Sequence, residues 1–197
     1  MARQHGIQSG TYKRFVIDSG QVRMGYVSAA NPGVLLGATR DGSTFTIETE
    51  YREMPVDGAK GPVKGGRRIT KVTARLVANF VEWSTDLMKI MLPGSSESYA
   101  SEYDTITRSL QLSDSDYLSN VVIIGEVSDT DATGPAVLMI KNALADGNVE
   151  NTFTDADEAV NKVQFTGHFT ESDLDTEPWL IIWPHDSNPT TTTTAGG

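Results

Sequence analysis

Three histidines, several closely spaced carboxylates and one loop rich in glycine and lysine are the residues of this chain that could do chemistry. His5 lies in an N-terminal stretch, and His185 follows Trp183-Pro184 on the way out to a polar tail, so neither is held for acid–base work. His168 alone falls in a strand-like run, alternating with Thr166 and Thr170 on a polar face. A lone strand histidine is usually a hydrogen-bonded surface group, since a general base needs an oriented partner within reach. Neither a Gly-x-Ser-x-Gly elbow nor a Gly-x-x-x-x-Gly-Lys-Ser/Thr loop is present. Gly58-Ala59-Lys60-Gly61 and Lys64-Gly65-Gly66 have a phosphate-friendly composition. No helix follows them to supply the dipole that such a site uses.

The carboxylates are equally modest. Asp114-Ser115-Asp116 and Asp129-Thr130-Asp131 place oxygens at i and i+2, as calcium loops do. Both lack the later glycine and bidentate glutamate, and read as Asx-type turns. Glu48 and Glu50 would stand about 6.5–7 Å apart on one strand, within the range of inverting glycosidases. Nothing else in the chain supports that pairing. The expectation is a protein that is not an enzyme, with no catalytic residue, no cofactor and no metal.

The 197 residues suffice for one domain, or for a core with projecting arms. The absence of cysteine removes disulfides, cysteine-based metal sites and thiol catalysis. The first residues carry no apolar core of a signal peptide, and the longest apolar runs, Val121 to Ile124 and Leu180 to Trp183, are strand-length. These features point to a soluble protein, made and used in the cytoplasm and not held in a membrane. A formal net charge of −10 argues against a nucleic-acid binder, because phosphate affinity comes from Lys and Arg. Two readings of the acidity stay open: solubility, or a surface past which DNA must move without sticking.

The pattern along the chain is mainly β. Residues 13–18 and 21–27 are short apolar runs parted by Ser19-Gly20, which predicts a tight hairpin. Asn31-Pro32-Gly33 marks a turn. From Thr44 to Tyr51 the chain alternates, with Phe45, Ile47, Thr49 and Tyr51 on one face and Thr44, Thr46, Glu48 and Glu50 on the other. A long strand is predicted over residues 67–83, with Val72, Ala74, Leu76, Ala78 and Phe80 opposite Lys71, Thr73, Arg75 and Asn79. Between them lies a 14-residue stretch, Glu53 to Gly66, holding four glycines and two prolines. Glycine adds backbone entropy and proline lacks a donor, so the two strands form a hairpin with an irregular projecting tip over 52–66. Ser84 caps a short helix over Thr85 to Leu92, which Pro93-Gly94 ends. Polar Ser95 to Ser101 follows. Further strands are expected over 104–112, 120–127, 135–142, 159–169 and 178–183, with Asp155 to Glu158 as an acidic turn. The predicted architecture is a β-sandwich or barrel over 13–184 with one short flanking helix. An N-terminal arm (1–12) and a flexible Thr-rich tail (185–197) complete it.

The stretch Leu36 to Glu53, containing Gly42-Ser43-Thr44-Phe45-Thr46-Ile47-Glu48-Thr49-Glu50, leads into Val56-Asp57-Gly58-Ala59-Lys60-Gly61-Pro62-Val63-Lys64-Gly65. It resembles the tail tube proteins of siphophages, in which such a strand runs into an Asp-Gly-x-x-Gly-Pro-Val-Lys-Gly loop, then a basic strand and a short helix. The likeness covers residues 34–95. It implies a β-sandwich with a flanking helix, forming hexameric rings that stack into a tube through which DNA passes without specific binding. Thr44, Thr46, Glu48 and Glu50 would face the lumen, with Lys71 and Arg75 partly neutralising an acidic wall. Asp57, Gly58, Lys60, Gly61, Pro62 and Lys64 would contact the next ring. Phe45, Ile47 and Tyr51 would pack on Val72, Leu76 and Phe80. The implied partners are other copies of the chain together with tape-measure, tail terminator and distal tail proteins, and the implied location is the virion tail, assembled in the host cytoplasm. Two other classes remain in play. One is a β-sandwich carbohydrate-binding or adhesion module, for which Trp83, Trp179 and Trp183 are the tryptophans available; the other is a different virion ring protein, a tail terminator or a capsid decoration protein.

Overall fold

The structure, a computed structural model, describes residues 7, 11–128, 134–149, 155 and 158–184. His5, His185, Asp129, Asp131 and the Thr-rich tail lie outside them. Eleven strands and one α-helix follow in order among the described residues: β1 (Val16–Met24), β2 (Val34–Leu35), β3 (Thr39–Glu53), β4 (Arg67–Phe80), α1 (Thr85–Met91), β5 (Ser95–Tyr99), β6 (Asp104–Arg108), β7 (Val121–Val127), β8 (Ala136–Ile140), β9 (Ala143–Ala145), β10 (Asn161–Gly167) and β11 (Trp179–Ile182). They form a five-stranded sheet in the order β11-β8-β7-β1-β2, a four-stranded sheet in the order β3-β4-β10-β9, and the separate hairpin β5-β6. Every paired neighbour is antiparallel.

The two larger sheets share one apolar core. Val22, Val121, Ile123 and Ile140 come from the first sheet, and Leu76, Phe80, Val163 and Phe165 from the second. Fully burying an aliphatic or aromatic side chain of this size contributes about 1.5–3 kcal/mol, so Leu76, Phe80 and Phe165, each with 0% exposure, anchor the sandwich. Helix α1 adds Leu87 and Met91 to the same core. Its cap is as expected: Ser84 Oγ accepts from the Leu87 N–H at 3.1 Å, satisfying a donor that the first turn leaves free. A second cluster, Tyr26, Val122, Val137 and Met139, lies apart from the first. Strand β7 feeds both, which is why Val121 to Ile124 is continuously apolar instead of alternating.

The mainly β sandwich with one short helix is thus as expected, and three local expectations are corrected. Ser19-Gly20 is no hairpin turn. It lies within β1, where pairing with β7 jumps from Ile17↔Glu126 to Gln21↔Ile124 across a bulge. A Cβ at Gly20 would sit 2.3 Å from Ile123 Cγ2, so glycine is there for close approach. Polar Ser95 to Ser101, for which no element was expected, holds a strand, and Ser95–Tyr99 pairs residue for residue with Asp104–Arg108. That second strand stops at Arg108, short of Leu112. His168 lies just past the end of β10, not within it.

Candidate assembly interface

The β3–β4 hairpin dominates the molecule. Its register places Phe45 against Leu76, Ile47 against Ala74 and Thr49 against Val72 on the core side. On the outward side Thr44, Thr46, Glu48 and Glu50 stand opposite Val77, Arg75, Thr73 and Lys71. Thr44, Glu48 and Glu50 are exposed and Thr46 is half-buried, so the alternation read from the sequence is that of the structure. Charges on this face are paired. Arg75 reaches Glu48 at 2.5 Å and Lys71 reaches Glu50 at 3.4 Å. Glu48 and Glu50 are thus each paired with a cation of β4 on this face. Pairs this exposed contribute about 0.2–1 kcal/mol each.

Past Val72 the hairpin leaves its core behind. Pairing steps from Glu50↔Lys71 to Tyr51↔Ile69, so Thr70 is bulged, and its hydroxyl donates to the Glu50 carbonyl at 3.2 Å. Tyr51 and Ile69 are 57% and 55% exposed. Tyr51 does not reach Phe80, which pairs with Thr39 at the other end of the strand; it lies instead under the Arg67 guanidinium, 5.7 Å from the ring centre. Arg67 also bridges to Glu53 at 3.0 Å.

The tip is folded back on itself. Met54 N–H donates to Gly66 O at 2.8 Å, Gly66 N–H to Val63 O at 2.9 Å and Ala59 N–H to Val56 O at 3.1 Å. These turns enclose a hollow of about 240 Å³ beneath Met54, Val56 and Val63. Asp57, Gly58, Lys60, Gly61, Pro62 and Lys64 are all exposed. No helix follows the lysines, because β4 does.

β3 is also the terminal strand of its sheet, its one described partner being β4. Its fifteen residues at about 3.4 Å each span roughly 50 Å, and among the described residues no strand pairs with its other edge. The opposite end of the hairpin carries a groove of about 600 Å³, where Met24, Val34, Leu35, Ile90 and Leu118 meet the carboxylates of Glu82, Asp86 and Asp116. Nothing in local sequence could have revealed it, since β2, α1 and the 3-10 turn Asp114–Asp116 each contribute.

Among the described residues singled out in the sequence, His168 and Asp116 make contacts that hold local structure. His168 Nδ1 lies 3.2 Å from the Asn142 carbonyl, and its ring meets Tyr117 edge-on at 5.2 Å. Asp116 accepts from Ser113 N–H at 2.7 Å and Gly94 N–H at 2.9 Å, closing a capping box on a 3-10 turn where an Asx-type turn was expected. Those backbone donors hold its carboxyl below the ordinary carboxylate value. Among the described residues no group of three His, Cys, Asp or Glu is disposed to hold a metal. No described helix is long and apolar enough to cross a membrane. Trp83 and Trp179 are partly buried, their ring N–H groups bonded to Ala159 O and the Glu177 carboxylate.

No protein-family profile matches the chain, and no curated protein matches it. Among solved structures, a chain in the tail of an empty GTA particle with C6 symmetry is similar at 9% identity and a TM-score of 0.39, covering 77% of this chain and 92% of that one. A chain in the virion of a native gene transfer agent (GTA) particle is similar at 8% identity and a TM-score of 0.41, with the same coverage. Likenesses at this level carry no weight of their own for fold or role.

Proposed function

We propose that this chain is a non-enzymatic structural subunit, the tail tube protein of a long-tailed bacteriophage, that self-assembles into hexameric rings stacked as a conduit for DNA. One observation carries this reading. The hairpin runs beyond its own core with Tyr51, Ile69 and the apolar residues of its tip uncovered, while among the described residues no strand pairs with the outer edge of β3. Soluble monomers blunt such edges, whereas a ring of heterologous contacts removes them by pairing each subunit with the next.

In that ring the face of Thr44, Thr46, Glu48 and Glu50 lines the lumen. Its balanced pairs with Arg75 and Lys71 leave duplex DNA little net charge to hold or to fear within the roughly 8 Å over which fields persist at physiological salt. Asp57, Gly58, Lys60, Gly61, Pro62 and Lys64 belong to ring-to-ring contact. Residues 13–184 act as one β unit with 52–66 as its projecting part, and tape-measure, terminator and distal tail proteins meet the tube at its ends. The site of action is the virion tail, after assembly in the host cytoplasm.

Negative-stain electron microscopy of the purified protein across a concentration series, with its solution mass, tests this. Filaments or stacked rings with a stain-filled hole are expected. Closed rings or trimers that never extend would turn the assignment toward a terminator or decoration protein. A monomer at every concentration would sink the assembly reading, and a glycan-binding screen would then test the adhesion alternative.

A further inference from the structure

The two ends of the β3–β4 hairpin carry unlike surfaces. At the tip, Met54, Val56 and Val63 are 42%, 65% and 52% exposed. The same end of the hairpin, residues 52–68, carries Arg52, Lys60, Lys64, Arg67 and Arg68 against Glu53 and Asp57, a cationic stretch on a chain of net charge −10. At the other end, the groove between β2, α1 and the Asp114–Asp116 turn has an apolar floor, with Val34 61% and Leu35 48% exposed. Its rim is acidic through Glu82, Asp86 and Asp116. The one lysine lining it, Lys89, is held by Glu97 at 2.9 Å and faces Asp86 at 3.9 Å, so it does not offset the rim.

We infer that this groove is the receptor for the loop tip of a second copy of the same chain. Val56 and Val63 enter the apolar floor, and Lys60 and Lys64 meet Glu82 and Asp86. The inference rests on the self-assembly reading and adds the surface against which the tip docks. Tip and groove lie at opposite ends of one 14-residue strand, about 45 Å apart at 3.3 Å per residue. With the hairpins of successive copies parallel, a contact joining tip to groove is heterologous and repeats head to tail by a translation of about 45 Å, less whatever the hairpin tilts; a reciprocal pair of antiparallel hairpins would instead close on a two-fold axis as a dimer, which solution mass distinguishes. Complementary potentials fix which surface the tip selects, because wrong juxtapositions of like charge are penalised.

The test places a photo-crosslinking amino acid at Val63 of the full chain. Isotopically labelled and unlabelled protein are mixed, so that mass spectrometry separates contacts between copies from contacts within one. Crosslinks between copies are expected in segments 34–36, 82–93 and 115–118. Lys60→Glu with Lys64→Glu should lower their yield about tenfold, and adding Glu82→Lys with Asp86→Lys should restore it, since two inverted charge pairs recreate the attraction. Glu82 also accepts from Ala38 N–H at 3.1 Å. Asp86→Lys alone, at a side chain 91% exposed, therefore serves as the variant whose fold is safe. Crosslinks between copies to any other surface overturn the groove assignment. Rings or tubes by microscopy with crosslinks elsewhere refute the groove alone. Dispersed monomers without crosslinks refute the assembly reading together with it.

Discussion

Excising Ala59 to Lys64 separates folding from stacking most cleanly, and its cost can be worked from the structure. The tip residues 54–66 are exposed save half-buried Gly66, so no core contact is lost. The internal bonds Ala59 N–H to Val56 O and Gly66 N–H to Val63 O go, while Met54 N–H to Gly66 O, which closes the strand ends, can remain. A hydrogen bond contributes about 0.5–1.5 kcal/mol net, and exposed ones fall at the low end. Halving the loop returns about 0.6 kcal/mol of closure entropy. The net loss is then about 0–1.5 kcal/mol, a fall in Tm of no more than about 6 °C for a domain of this size. Thermal melts by circular dichroism measure that figure, and electron microscopy reads assembly in the same samples. A folded variant that forms isolated rings, or no polymer, is expected. Normal tubes would remove the tip from stacking. A collapse of Tm by tens of degrees would show that it belongs to the fold.

Three further outcomes follow from other parts of the molecule. Asn161 is 1% exposed, and both polar atoms of its amide lack a hydrogen-bond partner, a cost of about 1–3 kcal/mol. Asn161→Val should therefore raise Tm by about 2–4 °C per kcal/mol recovered, and a fall would mean that the amide is satisfied. Glu48→Lys with Glu50→Lys sets lysines against Lys71 and Arg75, turning two weak attractions into repulsions and costing about 1–2 kcal/mol at low salt. Added salt should erase most of that loss, and unchanged DNA ejection from virions bearing the pair would end the lumen assignment. Glu97 is held below its ordinary 4.5 chiefly by the hydrogen bond from Lys89, and Lys89 above its ordinary 10.5 chiefly by the same bond. A lowered acid stabilises above its unfolded pKa and a raised base below its own, so this pair contributes between about 4.5 and 10.5 and fades beyond either limit. Asp116 adds to the acid limb. Melting temperatures between pH 3 and 7 should fall as Glu97 and Asp116 protonate, and Glu97→Gln should flatten that fall.

The hairpin was legible because its alternation is local, with Phe45 and Ile47 opposite Leu76 and Ala74 obeying period two whatever lies beyond them. The tip was legible from its glycines and prolines, and the helix from Ser84 and Pro93-Gly94. What escaped depends on distant residues. Gly20 resembles a turn until Ile123 is laid against it. Ser95–Tyr99 carries no apolar strand pattern because its polar residues are fixed by tertiary partners: Lys89 on Glu97, and Ser96 beside Thr107. Tyr51 has the right parity to be buried, but no sequence pattern says where the core ends. The apolar and acidic character of the groove is likewise scattered over residues 24 to 118.

The sheet order also has a consequence in time. The β3–β4 hairpin is complete once residue 80 has been synthesised, while the strand that covers its β4 side, β10, begins at Asn161. Hairpins form in microseconds, whereas some 80 residues take on the order of 4–16 s to emerge at typical ribosomal rates. For those seconds the nascent chain displays a finished hairpin open on both sides, next to neighbouring ribosomes displaying the same one. Pace of translation through 81–160 thus sets how often two growing chains pair prematurely. A slow stretch there should lower the yield of usable subunit without altering one contact of the finished molecule, and synonymous codon changes over 81–160 with yield as the readout test that.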